Sequence, residues 1–269
     1  MLGEYAAIDG GLSIIAPVRP PYRYELGESL AHPESPYGRY LREFGLSSAV
    51  QIRSVAQGPG SGLGSSTAEL IAGAISHRGS AFDPEALLVW YQSRFPEASG
   101  GDLLVQAISG KFVGNLYQYS HRSKAKPFTA SPSVLSRIQV FRVCESNKLR
   151  THEDLRKNRP VLALERMNQW TERGVLALQG ESEEGFLGFN EFAEYLSSLG
   201  LETARARVIR ESFRRCSGVI SAKGCGAGLN DVFLVVMDLS ATAEELKLVR
   251  KTADQHGLQS MGSLGEVLW

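Results

Sequence analysis

The 269-residue chain is 43% hydrophobic and 22% charged, and Lys+Arg and Asp+Glu both number 29. A chain of this size buries a large core as one domain or two closely packed ones, and zero net charge removes any global attraction to nucleic acid or to an anionic membrane surface. The three cysteines (Cys144, Cys216, Cys225) lack metal-ligand spacing, the five histidines form no HExxH-like pair, and no apolar run reaches the ~18 residues of a membrane span, so a disulfide scaffold, a zinc site and an integral membrane protein are all disfavoured. With no signal peptide at Met1, the expected location is the cytoplasm.

In chain order, Asp9-Gly10-Gly11 reads as a turn feeding a β-rich stretch from Leu12 to Val18, which the breakers Pro20 and Pro21 end. Residues 19–45 are rich in Pro, Tyr and charge and read as an excursion near the site rather than as core. A strand is expected from Ser47 to Val55, then a glycine-rich loop, then a helix from Thr67 whose stripe is Ala68, Ile71 and Ile75. Asp83 followed by Pro84 predicts a capped helix burying Leu87, Tyr91 and Phe95 and stopping at Pro96. A second loop runs from Ala98 to Asp102.

A strand is expected over Ser136–Val143, and Thr151 with Asp154 forms an approximate capping box for a helix. Further helices are expected over Asn190–Leu199, Glu202–Arg215 and Thr242–His256. Between them lies a strand-loop-strand: Val219–Lys223, Gly224–Asn230 and Asp231–Met237. The class is α+β, divided near residue 135, with domains expected over residues 1–135 and 136–269.

The chemistry concentrates in the loops. Four glycines between Gly58 and Gly64 let the backbone approach a ligand closely and take positive φ. A helix follows at once, so its unpaired N–H groups and positive dipole end form an anion site that needs no net protein charge. Ser65, Ser66 and Thr67 add hydroxyls for phosphate oxygens or a magnesium ion. The loop is not a Walker P-loop, because no lysine follows its last glycine.

Pro59-Gly60-Ser61-Gly62-Leu63-Gly64-Ser65-Ser66-Thr67-Ala68 closely resembles the phosphate-binding motif of the GHMP kinases, the superfamily of galactokinase, homoserine kinase, mevalonate kinase and phosphomevalonate kinase. Two further stretches resemble family motifs in the expected order. Gly3–Gly11, with Glu4 and Tyr5, looks like the end of the first motif, and Ala222–Asp231, with Gly226, Ala227 and Gly228, looks like the third. The resemblance implies a two-domain α+β fold, the N-terminal domain like ribosomal protein S5 and the C-terminal one ferredoxin-like, with the substrate between them.

It further implies that Pro59–Thr67 binds ATP, that Ser65 or Ser66 contacts Mg2+, and that Glu4, Tyr5, Ser99, Gly100, Gly226, Ala227, Gly228 and Asp231 meet the acceptor. Ser99-Gly100-Gly101-Asp102 is similar to a Ser-Gly-x-Asp of mevalonate and phosphomevalonate kinases, which makes Asp102 the implied base. Asp231 after the third-motif glycines favours phosphomevalonate over mevalonate as acceptor, although Leu229 and Asn230 replace two of the family's glycines. Lys148 and Arg150 could also meet an acidic substrate.

Two departures stand out. The strand that carries a lysine ahead of Glu4 in the family is not in this sequence, and Tyr91 occupies the place of a metal-binding glutamate, leaving Glu69 as a weak substitute. The implied function is therefore an ATP- and Mg-dependent kinase of the mevalonate branch of isoprenoid synthesis, acting as monomer or homodimer on phosphomevalonate or mevalonate. A GHMP kinase for a sugar or amino alcohol is the alternative enzyme, and a non-catalytic GHMP-fold sensor of a metabolite or nucleotide is the alternative class.

Overall fold

The computed structural model describes residues 6–17, 22–26, 32–46, 50–54, 65–96, 98–109, 115–120, 123–143, 160–226 and 231–268. A 3-10 turn at Ala6–Asp9 leads into β1 (Ser13–Ile15), which pairs antiparallel with β4 (Leu116–Ser120), itself paired with β5 (Ser123–Phe128). β2 (Tyr22–Leu26) and β3 (Val50–Ser54) form a separate antiparallel pair. The third sheet has the order β7 (Val219–Cys225), β8 (Val232–Met237), β6 (Ile138–Val143), β9 (Leu258–Ser263), with every pairing antiparallel. All six residues of β8 are buried, so the apolar run of Val232–Met237 is sealed on both faces.

Four helices build the N-terminal layer: α1 (Pro36–Phe44), α2 (Ser65–Arg78), α3 (Pro84–Arg94) and α4 (Gly101–Ser109). They share a core of Tyr37, Tyr40, Leu41, Leu70, Ile71, Ala74, Leu87, Tyr91 and Leu103. α3 starts as its sequence predicts: Asp83 Oδ1 accepts from the N–H groups of Glu85 (2.9 Å) and Ala86 (3.3 Å), with Pro84 at the first helical position. α4 lies against the first sheet through Leu104, Tyr119 and Ala7.

α5 (Pro132–Arg137) leads into the C-terminal half, where α6 (Leu164–Gln179), α7 (Leu187–Ser198), α8 (Ala204–Arg214), α9 (Ala243–Gln255) and α10 (Leu264–Val267) accompany the four-stranded sheet. α9 opens with a full capping box between Thr242 and Glu245. The halves are joined by a continuous core, because Ala6, Ile14 and Leu116 belong to the same buried cluster as Phe141, Trp170, Phe192 and Phe233. The Leu12 N–H donates to Asn168 Oδ1 of α6 at 2.7 Å.

The structure corrects several sequence expectations. Residues 19–45 are not merely an excursion: α1 carries Tyr37, Tyr40 and Leu41 into the core, because the tyrosine rings bury as apolar surface. Ile75 is 45% exposed and not part of the buried stripe; Leu70, Ile71 and Ala74 take that face. The segment around Asp102 is not a loop, since the helix begins at Gly101. The helix expected near Thr151, with Lys148 and Arg150, lies outside the described residues. Among the described residues no helix is long and apolar enough to cross a membrane, and Cys216 is a free thiol.

Candidate active site

Two helix starts meet. α2 begins at Ser65, the first described residue after the glycine-rich sequence, and its first-turn N–H groups have no partner within the helix. Thr67, its third residue, is 1% exposed, and Thr67 Oγ1 lies 3.2 Å from Asp102 Oδ2 and 3.2 Å from Gln106 Oε1, both on α4. Asp102 is exposed at the second position of α4, where the helix dipole favours its negative charge.

The turn before α4 is held from several sides. The Ser99 carbonyl accepts from Tyr119 Oη at 2.6 Å and from Gln92 Nε2 at 2.7 Å, and Gln92 Nε2 also donates to Tyr119 Oη at 3.3 Å. Ser99 Oγ accepts the Gly101 N–H at 3.2 Å. Gly100 has φ +72°, and a Cβ there would stand 2.4 Å from Leu88 Cδ1. A Cβ on Gly101 would stand 2.6 Å from Ile15 Cδ1 and 2.8 Å from the Tyr119 ring. Both glycines are therefore required, one by conformation and one by the close approach of α4 to β1 and β4. Burial, countered by the Gln92 donor and reinforced by the Asp102 charge, pushes the Tyr119 phenol up to about 12, so it remains a donor through the physiological range.

The loop after β7 is the second constellation. Gly226 has φ +86°, and a Cβ on it would fall 2.2 Å from Asp231 Oδ2, so the Asp231 side chain folds across the foot of the loop. The Asp231 N–H donates to the Cys225 carbonyl at 3.1 Å, and its own carbonyl accepts the Val143 N–H at 3.1 Å. Asp231 thus closes the hairpin and ties it to β6. Lys223, just before the loop, is fully buried; its Nζ donates to the Gly224 carbonyl at 2.7 Å and lies 5.3 Å from the centre of the Phe192 ring.

Of the residues singled out from sequence, the structure brings Thr67 to Asp102, sets Ser99 and Gly100 in the turn before Asp102, and joins Gly226 to Asp231. Glu4, Tyr5, Pro59, Gly60, Ser61, Gly62, Leu63, Gly64, Ala227 and Gly228 lie outside the described residues, while Ser65 and Ser66 form the first turn of α2. Tyr119, Gln92, Gln106 and Lys223 took no role in the sequence reading. The alternation of Leu116-Tyr117-Gln118-Tyr119 was a strand signal that could have drawn attention to Tyr119.

The donor set suits magnesium held largely by nucleotide phosphates. That ion takes hard oxygens and needs few protein ligands, and Thr67, in the first turn of α2, stands against the Asp102 carboxylate. Tyr91 is a core residue, 5.0 Å from Phe95 between ring centres. Glu69 is half-buried one turn along α2, and burial pushes its carboxyl above the ordinary value of 4.5. Among the described residues no group of three or more His, Cys, Asp or Glu is arranged to hold a metal by itself.

By sequence the chain matches no family model and no curated protein. By structure it aligns over 97% of its length with the mevalonate kinase of Methanococcus jannaschii (TM-score 0.68, 16% identity, 93% of that chain). It aligns equally with Streptococcus pneumoniae phosphomevalonate kinase, solved with phosphomevalonate and AMPPNP (0.68, 17%, 97% of this chain and 95% of that one). The chain has the GHMP kinase fold. Lactococcus lactis galactokinase, in complex with galactose, shares the GHMP fold with it too (0.66, 11%, 97% and 90%). At these identities the likeness establishes architecture, and the chemistry has to come from the side chains.

Proposed function

We propose that this protein is an ATP-dependent small-molecule kinase, with phosphomevalonate ahead of mevalonate as acceptor. The observation that carries this reading is the junction of α2 and α4, where the helix that follows a glycine-rich stretch makes a direct bond to the only carboxylate of the Ser99–Asp102 turn. The Pro59–Ser66 backbone and the α2 N-terminus would cradle the nucleotide phosphates. Ser65 or Ser66 would help hold Mg2+, which neutralises phosphate charge when bound. Asp102 takes the proton of an acceptor hydroxyl, or orients an acceptor phosphate, while the acceptor oxygen bonds to the γ-phosphorus and ADP leaves with the bridging oxygen.

Asp231 and Gly226, on the C-terminal sheet, are the proposed acceptor-side elements, with domains over residues 1–135 and 136–269. Sheet membership supports that division, because β1–β5 lie in two sheets and β6–β9 in the third. ADP release measured against mevalonate, phosphomevalonate, homoserine and galactose tests the reading. Turnover with one of them is the expected result. Buried Tyr91, where the resemblance implies a metal-binding glutamate, favours a nucleotide sensor as the second reading. Tight ATP binding with no turnover on any acceptor would select it.

A further inference from the structure

We propose that Thr67 is a positioning residue, locking the Asp102 carboxylate from the first turn of the helix that meets the nucleotide; this rests on the kinase reading above. An exposed aspartate at a helix start is free to rotate about two side-chain torsions. Here a buried donor restricts that freedom. Thr67 is 1% exposed, and its bonds to α4 select one of the two χ1 settings open to a helical threonine.

Among the described residues the hydroxyl, with its one proton, meets the acceptors Asp102 Oδ2 and Gln106 Oε1, each 3.2 Å away. Turning the Gln106 amide through 180° resolves the competition, because Nε2 then donates to Thr67 Oγ1 and the Thr67 proton goes to Asp102. Asp102 and Gln106 are four residues apart and share one face of α4, so both can meet a single hydroxyl. The relay runs from Gln106 through Thr67 to Asp102. Its consequence is register: the helix that faces the nucleotide and the carboxylate that meets the acceptor are linked through the Thr67 hydroxyl across the α2–α4 contact. Displacing a reacting group by about 1 Å typically lowers a rate by about 10²-fold.

Thr67→Val keeps the branched shape and deletes the hydroxyl. At saturating ATP its kcat is expected to fall about 10- to 100-fold, and Thr67→Ser is expected to restore most of the loss. In an Asp102→Asn background, Thr67→Val should bring no further loss, since the two groups act as one unit. Where the valine variant fails to fold, Thr67→Ala replaces it, and its loss must likewise vanish in the Asp102→Asn background. Unchanged kcat in Thr67→Val, or losses that multiply in the double variant, would overturn the proposal while leaving the kinase reading intact. A wild type with no turnover on any acceptor would overturn both.

Discussion

Asp102 is the residue on which the proposed chemistry turns. Asp102→Asn preserves the shape of the side chain and removes its basicity. Turnover should fall about 10²- to 10⁴-fold while nucleotide affinity, measured by titration calorimetry, stays near wild type. Retained turnover would make Asp102 a helix-start residue only. Gly101 is held to a stricter condition: a methyl group there meets Ile15 and the Tyr119 ring at less than 3 Å. Gly101→Ala should therefore lower stability by about 1–3 kcal/mol in urea unfolding, the usual range for overpacking. Glu69 bears on stability with the opposite sign. Its folded-state carboxyl is raised by burial, so the native state binds the proton more readily than the unfolded chain does. Wild-type stability should fall relative to Glu69→Gln as pH rises from about 4.5 through that raised value, a difference that parallel thermal melts across pH would show.

Much of the fold was legible at the level of elements, for identifiable reasons. Asp83 with Pro84 announces its helix because a cap is local chemistry. The run Val232–Met237 is uniformly apolar, only six residues long and half valine, which marks it as a buried strand. α1 and α4 were missed because tertiary burial decides them: α1 buries tyrosines that read as polar, and α4 opens on two glycines that look like a loop. Within the site, the glycine stretch and Asp102 were visible as motifs. Tyr119, Gln92 and Gln106 were not, because their roles depend on contacts across sequence separations that no local pattern records. The buried ion pair beside α8 was likewise invisible. Arg210 reaches both carboxylate oxygens of Glu202, at 2.9 and 3.0 Å, inside the core. Arg210 also reaches Glu211 at 2.8 Å, so Glu202→Ala leaves the buried guanidinium with one carboxylate partner and should lower stability by about 1–3 kcal/mol, read from denaturant unfolding.

At the scale of the whole molecule, the two halves share one apolar cluster and the Leu12–Asn168 hydrogen bond. Unfolding is accordingly expected in one transition, coincident by tryptophan fluorescence and far-UV circular dichroism. Asn168→Ala, which orphans the Leu12 N–H, should shift that transition by about 1–3 kcal/mol without splitting it, and two separated transitions would show the halves to be independent. Lys223 turns this shared architecture into a reporter. Its amine is enclosed in the sheet, donating to the Gly224 carbonyl, with its charge over Phe192. An acylating reagent in water reaches exposed lysines in the native state but reaches this one only when β7 opens, so its modification rate measures how often the sheet comes apart. A bound nucleotide that steadies the whole molecule should slow that acylation as well as any reaction at the site itself.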